Sequence, residues 1–254
     1  MSRTFKPMTD ACQDLDAWLV DMSDPFAQCI AMRIRTISFI LAVALALGVM
    51  HTTNGSEPAV ASGYKVSIVG DSLVASREKL YEDALVGQGF DAEANGVGSR
   101  ALRYGWQCRI NGSLRVVAKP VDSKCRREGL EQIRYWAQRG ELGEVVVIAL
   151  GTNDAGLFTA KQTAGNLSTV RSIVRNREIK IVSVAALGSR NKRMKAWNEA
   201  AATWCAADTN CVMVPWAESA YAKAKTTYSS DGIHLTVEGT KHRAAVIAAT
   251  VAGL

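Results

Sequence analysis

Three residues of this chain have types and positions suited to nucleophilic catalysis: Ser72, Asp231 and His234. A serine hydroxyl becomes a strong nucleophile when a base takes its proton, and histidine most often does so near neutral pH. Asp231 precedes His234 by three residues, so a turn can bring its carboxylate onto the imidazole and fix the tautomer. The same spacing also suits a helix-capping aspartate beside an uninvolved histidine, and Ser72 by itself could cap a helix.

The choice of a catalytic base is narrow, because the chain contains only His51, His234 and His242. His51 directly follows an apolar N-terminal run. His242 falls inside the last predicted helix, where a solvated side chain is the simpler interpretation. His234 is therefore the candidate base.

Acyl transfer also needs hydrogen-bond donors that face the negatively charged oxygen of the intermediate. Asn153 offers a side-chain amide, Gly98 offers a backbone N–H that no side chain obstructs, and Ser72 can add its own N–H. Asparagine and glycine in turns often serve the turn alone. Gly96 lies two residues before Gly98, and the sequence leaves both glycines as candidates.

Short apolar runs alternate with longer helical stretches after residue 64. Runs rich in Val and Ile predict buried strands at residues 65–69, 90–94, 144–150, 180–186 and 211–214. The intervening stretches predict helices at residues 77–86, 125–139, 160–177, 192–207 and 237–252. Residues 104–123 show no clear period and are interpreted as a loop. This alternation predicts one α/β domain with a mostly parallel five-stranded sheet between two helix layers.

The candidate residues all follow predicted strands. Ser72 follows the first strand, Gly98 the second and Asn153 the third. The segment with Asp231 and His234 follows the last strand. In an open parallel sheet the loops at the carboxyl ends meet at one edge, where ligands bind. Each signal is weak alone, but their joint position at one sheet edge favours a hydrolytic site.

Four sequence motifs resemble those of the SGNH (GDSL) hydrolases: Gly70-Asp71-Ser72-Leu73, Gly98, Gly151-Thr152-Asn153-Asp154, and Asp231 with His234. The resemblance covers residues 62–254 and implies a flavodoxin-like three-layer α/β/α sandwich, the SGNH hydrolase fold. It implies that Ser72 is the nucleophile, His234 the base and Asp231 its orienting partner. The N–H groups of Ser72 and Gly98 and the Asn153 amide would form the oxyanion hole. No cofactor and no metal are expected.

Composition and charge narrow the class of protein. The chain has 254 residues, 48% of them apolar and 21% charged, which is typical of globular proteins and argues against a disordered or fibrous chain. The net charge is +6, and it rises to +8 over residues 62–254, where 26 basic residues face 18 acidic ones. Such a surface attracts polyanions. We expect an anionic cell-wall polymer as a partner, and not nucleic acid, because export is predicted.

The first 61 residues are interpreted as a targeting segment. Residues 37–50 form a 14-residue apolar run after two arginines, short for a membrane-spanning helix, and Ala59-Val60-Ala61 matches a signal peptidase site. Residues 1–31 are acidic and unlike a signal n-region, which a translation start at Met32 would explain. We expect a signal peptide at residues 32–61 and a secreted or cell-envelope protein. An uncleaved anchor in the membrane is the alternative.

Cysteine usage agrees with export. Four cysteines follow the predicted signal: Cys108, Cys125, Cys205 and Cys211. Three pairings exist for four cysteines. We expect Cys108–Cys125 and Cys205–Cys211, because each pair closes a short loop, with buried free thiols as the alternative. The absence of C-x-x-C spacing disfavours zinc.

The combined hypothesis is an exported serine esterase formed by residues 62–254. It would hydrolyse O-acyl esters through an acyl-enzyme, and its substrate would be a small ester or an acylated carbohydrate or cell-wall polymer. An O-acyltransferase with the same three residues is the first alternative, because a sugar hydroxyl can replace water. A non-catalytic binding module is the second alternative.

Overall fold

The computed structural model describes residues 63–122 and 124–253. The predictions for residues 1–31 and for a signal segment at residues 32–61 lie outside the described residues. Among the helices of the described ranges, none has the length and apolar character needed to cross a membrane.

A five-stranded sheet forms the centre of the fold, and a two-stranded hairpin lies outside it. The strands are β1 (Lys65–Gly70), β2 (Asp91–Gly96), β3 (Trp106–Ile110), β4 (Ser113–Val117), β5 (Val145–Ala149), β6 (Glu178–Val182) and β7 (Cys211–Val214). The order across the sheet is β2-β1-β5-β6-β7, with every neighbouring pair parallel. This is the flavodoxin-like strand order, so the predicted fold is confirmed. The order reverses beside β1, which opens a crevice at the carboxyl ends of β1 and β5.

Helices cover both faces of the sheet. They are α1 (Ser72–Ala75), α2 (Glu78–Val86), α3 (Gly129–Arg139), α4 (Ala160–Val174), α5 (Asn191–Ala206), α6 (Trp216–Ala222), α7 (Ala224–Thr227) and α8 (Val237–Ala252). One core lies between the sheet and α2, α6 and α8, and the other lies between the sheet and α3, α4 and α5. Val66 and Ile68 of β1 pack in the first core and Val69 in the second. Because both faces of the central strands β1 and β5 are buried, these two strands are largely apolar, whereas the edge strand β2 is mostly polar and partly exposed.

The prediction that residues 104–123 form a loop is wrong, because β3 and β4 pair there as an antiparallel hairpin. The two-residue turn is Asn111-Gly112, with φ values of 49° and 78°. Positive φ at both central positions defines the turn that matches the twist of paired strands, and Asn-Gly is its preferred sequence. The sequence signal for this hairpin is the Asn-Gly dipeptide and not a periodic pattern.

The expected cysteine pairs are both present as disulfides. Cys108 of β3 bonds to Cys125, and Cys205 of α5 bonds to Cys211 at the start of β7. The Cys108–Cys125 disulfide keeps the following chain next to the hairpin, where Arg126 pairs with Gln107 of β3. Helix α3 therefore begins at Gly129 and not at the predicted residue 125.

Two further differences from the predicted elements have local causes. Strand β6 ends at Val182. The N–H of Ser183 still donates to the Val214 carbonyl of β7, but at the next residue a side chain replaces the neighbouring strand. Asn198 accepts from the N–H of Val184 and donates to its carbonyl, each at 2.8 Å. The helices α1, α6 and α7 were not predicted, since four to seven residues are too few to show a helical period.

Candidate active site

Ser72 is presented on a tight turn between β1 and α1. The Asp71 carboxylate caps α1 by accepting from the N–H of Leu73 at 2.9 Å. The Asp71 carbonyl accepts from the N–H groups of Val74 and Ala75 at 3.1 and 2.9 Å. Capping is thus performed by Asp71, which leaves the hydroxyl of Ser72 free for other contacts.

His234 connects Ser72 with Asp231. Its Nε2 lies 3.2 Å from the Ser72 Oγ, and its Nδ1 lies 2.5 Å from the Asp231 Oδ2. The other carboxylate oxygen of Asp231 accepts from the N–H groups of Ile233 and His234, each at 2.9 Å. The hydrogen bond with the His234 side chain, followed by these backbone bonds, lowers the pKa of Asp231 to about 2. The carboxylate therefore stays ionised, and an imidazole that donates Nδ1–H to it has Nε2 free to accept from Ser72.

The loop that carries Asp231 and His234 is held from both sides. Gly232 has a φ of 68°, and a Cβ there would lie 3.0 Å from the Leu187 Cβ. The Gly232 carbonyl accepts from the Leu187 N–H at 2.8 Å, and the His234 carbonyl accepts from the Ser229 N–H at 2.8 Å. The imidazole is thus positioned by the backbone even though about half of its side chain is exposed.

Asn153 lies in the turn after β5. Gly151 begins this turn with a φ of 122°, and a Cβ on it would lie 2.7 Å from the ring of Trp197. The Asn153 Nδ2 donates to the carbonyl of Arg100 at 3.0 Å. An amide nitrogen has two hydrogens, so this contact orients the amide and leaves one donor for a ligand.

The two candidate glycines have different surroundings. The N–H of Gly96 donates to the Glu78 Oε1 at 2.6 Å, and a Cβ on Gly96 would lie 2.2 Å from the Ala75 nitrogen. Gly98 has open space where a Cβ would project. Within the described part of the chain, the N–H of Gly98 has no hydrogen-bond acceptor. Gly98 is therefore the glycine whose N–H is free to meet a ligand.

A cavity of about 470 Å³ brings the candidate residues from the first, second and last strands together. It is lined by Ser72, Leu73, Ala75, Ser76, Arg77, Gly98, His234, Leu235 and Thr240. A larger cavity of about 730 Å³ lies at the opposite edge, beside Tyr64 and residues 175–178. That cavity contains none of the candidate residues and sits at the amino ends of the strands, where parallel sheets do not place their ligands.

A buried arginine that the sequence analysis did not identify organises the loops of the site. The Arg100 guanidinium donates to the carbonyls of Gly70 at 3.3 Å, Asn95 at 2.7 Å and Arg127 at 3.0 Å. It also donates to the Asn95 side chain at 2.8 Å. Burial lowers the pKa of Arg100 to about 10. Since its carbonyl also orients Asn153, Arg100 links the loops that follow β1, β2 and β5.

Two buried carboxyl groups, those of Asp71 and Asp154, lie next to the site. Both belong to the sequence motifs, but the motifs alone give them no role. Burial raises the pKa of Asp71, and the charge of Arg243 opposes that rise. Burial raises the pKa of Asp154 to about 7, although both of its oxygens accept from the N–H of Leu102. Burial of a carboxylate leaves no signature in sequence. In the described ranges, no group of three His, Cys, Asp or Glu side chains could hold a metal ion.

The fold and the site define the class of protein. A flavodoxin-like sheet carries serine, glycine, asparagine and histidine at one edge, in the order in which they occur along the chain. Residues 68–242 match the GDSL-like lipase/acylhydrolase family. The chain belongs to this family, and it is an enzyme of the SGNH/GDSL hydrolase type. No curated protein matches the chain in sequence.

Solved structures of similar fold have little sequence in common with the chain. A lipase/acylhydrolase from Enterococcus faecalis is 17% identical with a TM-score of 0.58, covering 75% of this chain and 96% of that one. The catalytic domain of Streptococcus pneumoniae peptidoglycan O-acetyltransferase A is 14% identical with a TM-score of 0.53, covering 76% and 92%. A carbohydrate esterase from Talaromyces cellulolyticus is 18% identical with a TM-score of 0.52, covering 74% and 96%. At these identities the likeness concerns the fold alone.

Proposed function

We propose that the protein is an exported serine esterase that hydrolyses O-acyl esters of a carbohydrate or cell-wall polymer. The observation that carries this proposal is the continuous chain of contacts from Asp231 through His234 to the Ser72 hydroxyl. In this arrangement a base can take the proton of the nucleophile while a carboxylate stabilises the resulting imidazolium. A module that only binds its ligand would not require this geometry.

The reaction proceeds in two halves. The Ser72 Oγ attacks the ester carbonyl as its proton moves to the His234 Nε2, and the imidazolium then gives this proton to the departing alcohol oxygen. The acyl group remains on Ser72 as an ester. A water molecule, deprotonated by His234, attacks that ester and releases the carboxylic acid, and the proton returns to the Ser72 oxygen.

The oxyanion of both tetrahedral intermediates would be held by three donors. They are the N–H groups of Ser72 and Gly98 and the free amide hydrogen of Asn153. Within the described residues neither of the two backbone N–H groups has a partner. Donors that are already oriented stabilise the developing charge without reorganisation during the reaction.

The carbohydrate substrate and the export of the protein are each supported by separate observations. Structural neighbours include a carbohydrate esterase and a peptidoglycan O-acetyltransferase domain. Export is supported by the apolar run at residues 37–50 and by the two disulfides, which persist in oxidising compartments. N-terminal sequencing of protein from the medium or envelope should give a start at Ser62. Full-length protein in the membrane would instead support the anchor.

Turnover of p-nitrophenyl acetate and butyrate tests the catalytic assignment. We expect Ser72→Ala to lose at least about 10³-fold in kcat with an unchanged circular dichroism spectrum, since the nucleophile is gone. Ser76→Ala is the matched control, because Ser76 lines the same cavity without contacting His234. Full activity of Ser72→Ala would refute the assignment.

The same acyl-enzyme supports the second candidate, an O-acyltransferase. A chitooligosaccharide acceptor added to the assay distinguishes the two, with acetylated sugar detected by mass spectrometry. Acetate as the main product supports the esterase, whereas acetylated sugar supports the transferase. If neither product forms and the protein still binds the sugar, the interpretation as a binding module is favoured.

A further inference from the structure

The cavity that contains Ser72 and His234 holds one permanently charged side chain. Of its nine described lining residues, only Arg77 carries a fixed charge. None of the salt bridges among the described residues involves Arg77. An arginine beside a reactive serine, without a carboxylate partner in the described structure, has a charge that a substrate can complement.

The hydrogen-bonding capacity of this guanidinium is barely used. Its Nη1 lies 3.5 Å from the Leu235 carbonyl oxygen and 3.5 Å from the Ser76 Oγ. Both distances are at the long limit for a hydrogen bond. A guanidinium has five N–H donors in a planar fork that matches the two oxygens of a carboxylate. Most of the donors of Arg77 are thus available to a ligand in the cavity.

The position of Arg77 indicates which part of an ester it would meet. Its guanidinium contacts the carbonyl of Leu235, the residue directly after His234. In the proposed reaction His234 gives a proton to the departing alcohol oxygen, so the alcohol part lies on the side of the imidazole. The guanidinium therefore lies on the side of the alcohol part and not of the acyl part.

We propose that Arg77 selects esters whose alcohol part carries a carboxylate close to the acylated oxygen, as in an O-acylated uronic acid. This inference rests on the proposed esterase function, because that function defines the alcohol side of the cavity. The backbone of Arg77 is held independently of its side chain, since its N–H donates to the Val74 carbonyl at 2.9 Å and its carbonyl accepts from Leu80 at 3.0 Å. The side chain can thus be replaced while the turn between α1 and α2 is kept.

The test compares two substrates that differ only in charge: an O-acetylated methyl glucuronoside and its carboxyl methyl ester. We expect the wild-type protein to have the higher kcat/KM for the charged substrate. Arg77→Gln should lower kcat/KM for that substrate about 10- to 100-fold, the effect of one charge-assisted hydrogen-bonded pair. It should leave the neutral substrate within about threefold. Most of the loss should be in KM, because the carboxylate is bound equally before and during the reaction.

Two further variants control for charge and shape. Arg77→Lys should retain part of the preference, because it keeps the charge and loses the fork. Arg177→Gln removes the same charge at the opposite sheet edge, where the Arg177 Nη1 has a single contact of 3.4 Å to the Val174 carbonyl. This variant should keep the full preference. Rising salt should weaken the preference of the wild-type protein.

Each outcome decides the proposal. Equal turnover of both substrates by the wild type, or an unchanged preference in Arg77→Gln, overturns it. A preference seen only when the acyl part is charged, as in a hemisuccinate ester, refutes the assignment to the alcohol part.

If Ser72→Ala turns over neutral esters as fast as the wild type, the proposed function is wrong. The role of Arg77 is then tested separately, by measuring the binding of a carboxylate ligand. Calorimetric titration of methyl glucuronoside should then show binding to the wild type that is lost in Arg77→Gln. Absent or equal binding overturns the proposal.

Discussion

Replacing Gly96 with alanine should impair activity through a contact with the backbone that carries the proposed nucleophile. A Cβ on Gly96 would lie 2.2 Å from the Ala75 nitrogen, 2.5 Å from its Cα and 2.8 Å from the Val74 carbonyl carbon. These are backbone atoms of α1, whose first residue is Ser72. Gly96 has no positive φ, so alanine is not strained by its backbone conformation, and the contact alone determines the effect.

The size of the effect follows from these distances. Non-bonded carbon atoms settle at about 3.5–4.0 Å, so the helix must move away by about 1 Å. Overpacking of this kind costs about 1–3 kcal/mol of unfolding free energy. A displacement of about 1 Å between a nucleophile and its partners can cost about 10²-fold in rate. We therefore expect Gly96→Ala to lose about 10²-fold in kcat.

Gly98→Ala is the matched control, because Gly98 lies two residues away, also without positive φ, and its Cβ would meet open space. We expect its unfolding free energy to stay within about 0.5 kcal/mol of wild type. Gly98→Ala is the control for stability alone, because Gly98 lines the cavity that contains Ser72.

Urea unfolding followed by circular dichroism and turnover of p-nitrophenyl acetate measure the two effects. Wild-type stability and turnover in Gly96→Ala would refute the contact argument. Reduced stability with wild-type kcat would show that α1 adjusts without displacing Ser72.

Two further predictions concern the turn after β5. Asn153→Ala should lower kcat about 10²–10³-fold in the p-nitrophenyl acetate assay, because it removes one of the proposed oxyanion donors. Thr152→Ala, in the same turn, is the control, and equal losses in both variants would contradict a specific role for Asn153. Asp154→Asn should change how stability depends on pH. Burial raises the pKa of Asp154 from its ordinary value of 3.8 to about 7 in the folded protein. The folded state therefore binds the proton more tightly than the unfolded chain, and the wild type loses stability between about pH 4 and pH 7. About three pKa units at 1.36 kcal/mol each correspond to a loss of roughly 4 kcal/mol in the unfolding free energy of the wild type over this pH range. Urea titrations at several pH values should show that Asp154→Asn lacks this loss. Parallel stability profiles of the variant and the wild type would contradict the raised pKa.

The outline of the fold could be predicted from sequence because it follows from local patterns. Strand β7 and helix α8 have their predicted bounds, and the candidate residues follow strands as expected. Buried parallel strands must be apolar along their length, so they are visible in a single chain. The hairpin was missed because its signal is a turn dipeptide, Asn111-Gly112, and not a period.

The types and order of the site residues were also available from sequence, because the carboxyl ends of parallel strands meet at one edge. The sequence therefore indicated Ser72, Asn153 and His234 as neighbours before any distance was known. It could not choose between Gly96 and Gly98, since that choice depends on the Glu78 side chain and on α1.

Only the tertiary structure determined the distances and the surroundings of each side chain. The contact of 3.2 Å between His234 and Ser72 joins residues 162 positions apart. The burial of Arg100 and the absence of a salt-bridge partner for Arg77 in the described structure distinguish two arginines that look alike in sequence. Burial and pairing depend on which distant elements pack together, so a local pattern has no means of encoding them. The amino-acid sequence thus specifies which groups are available for chemistry, and long-range packing sets how they are arranged.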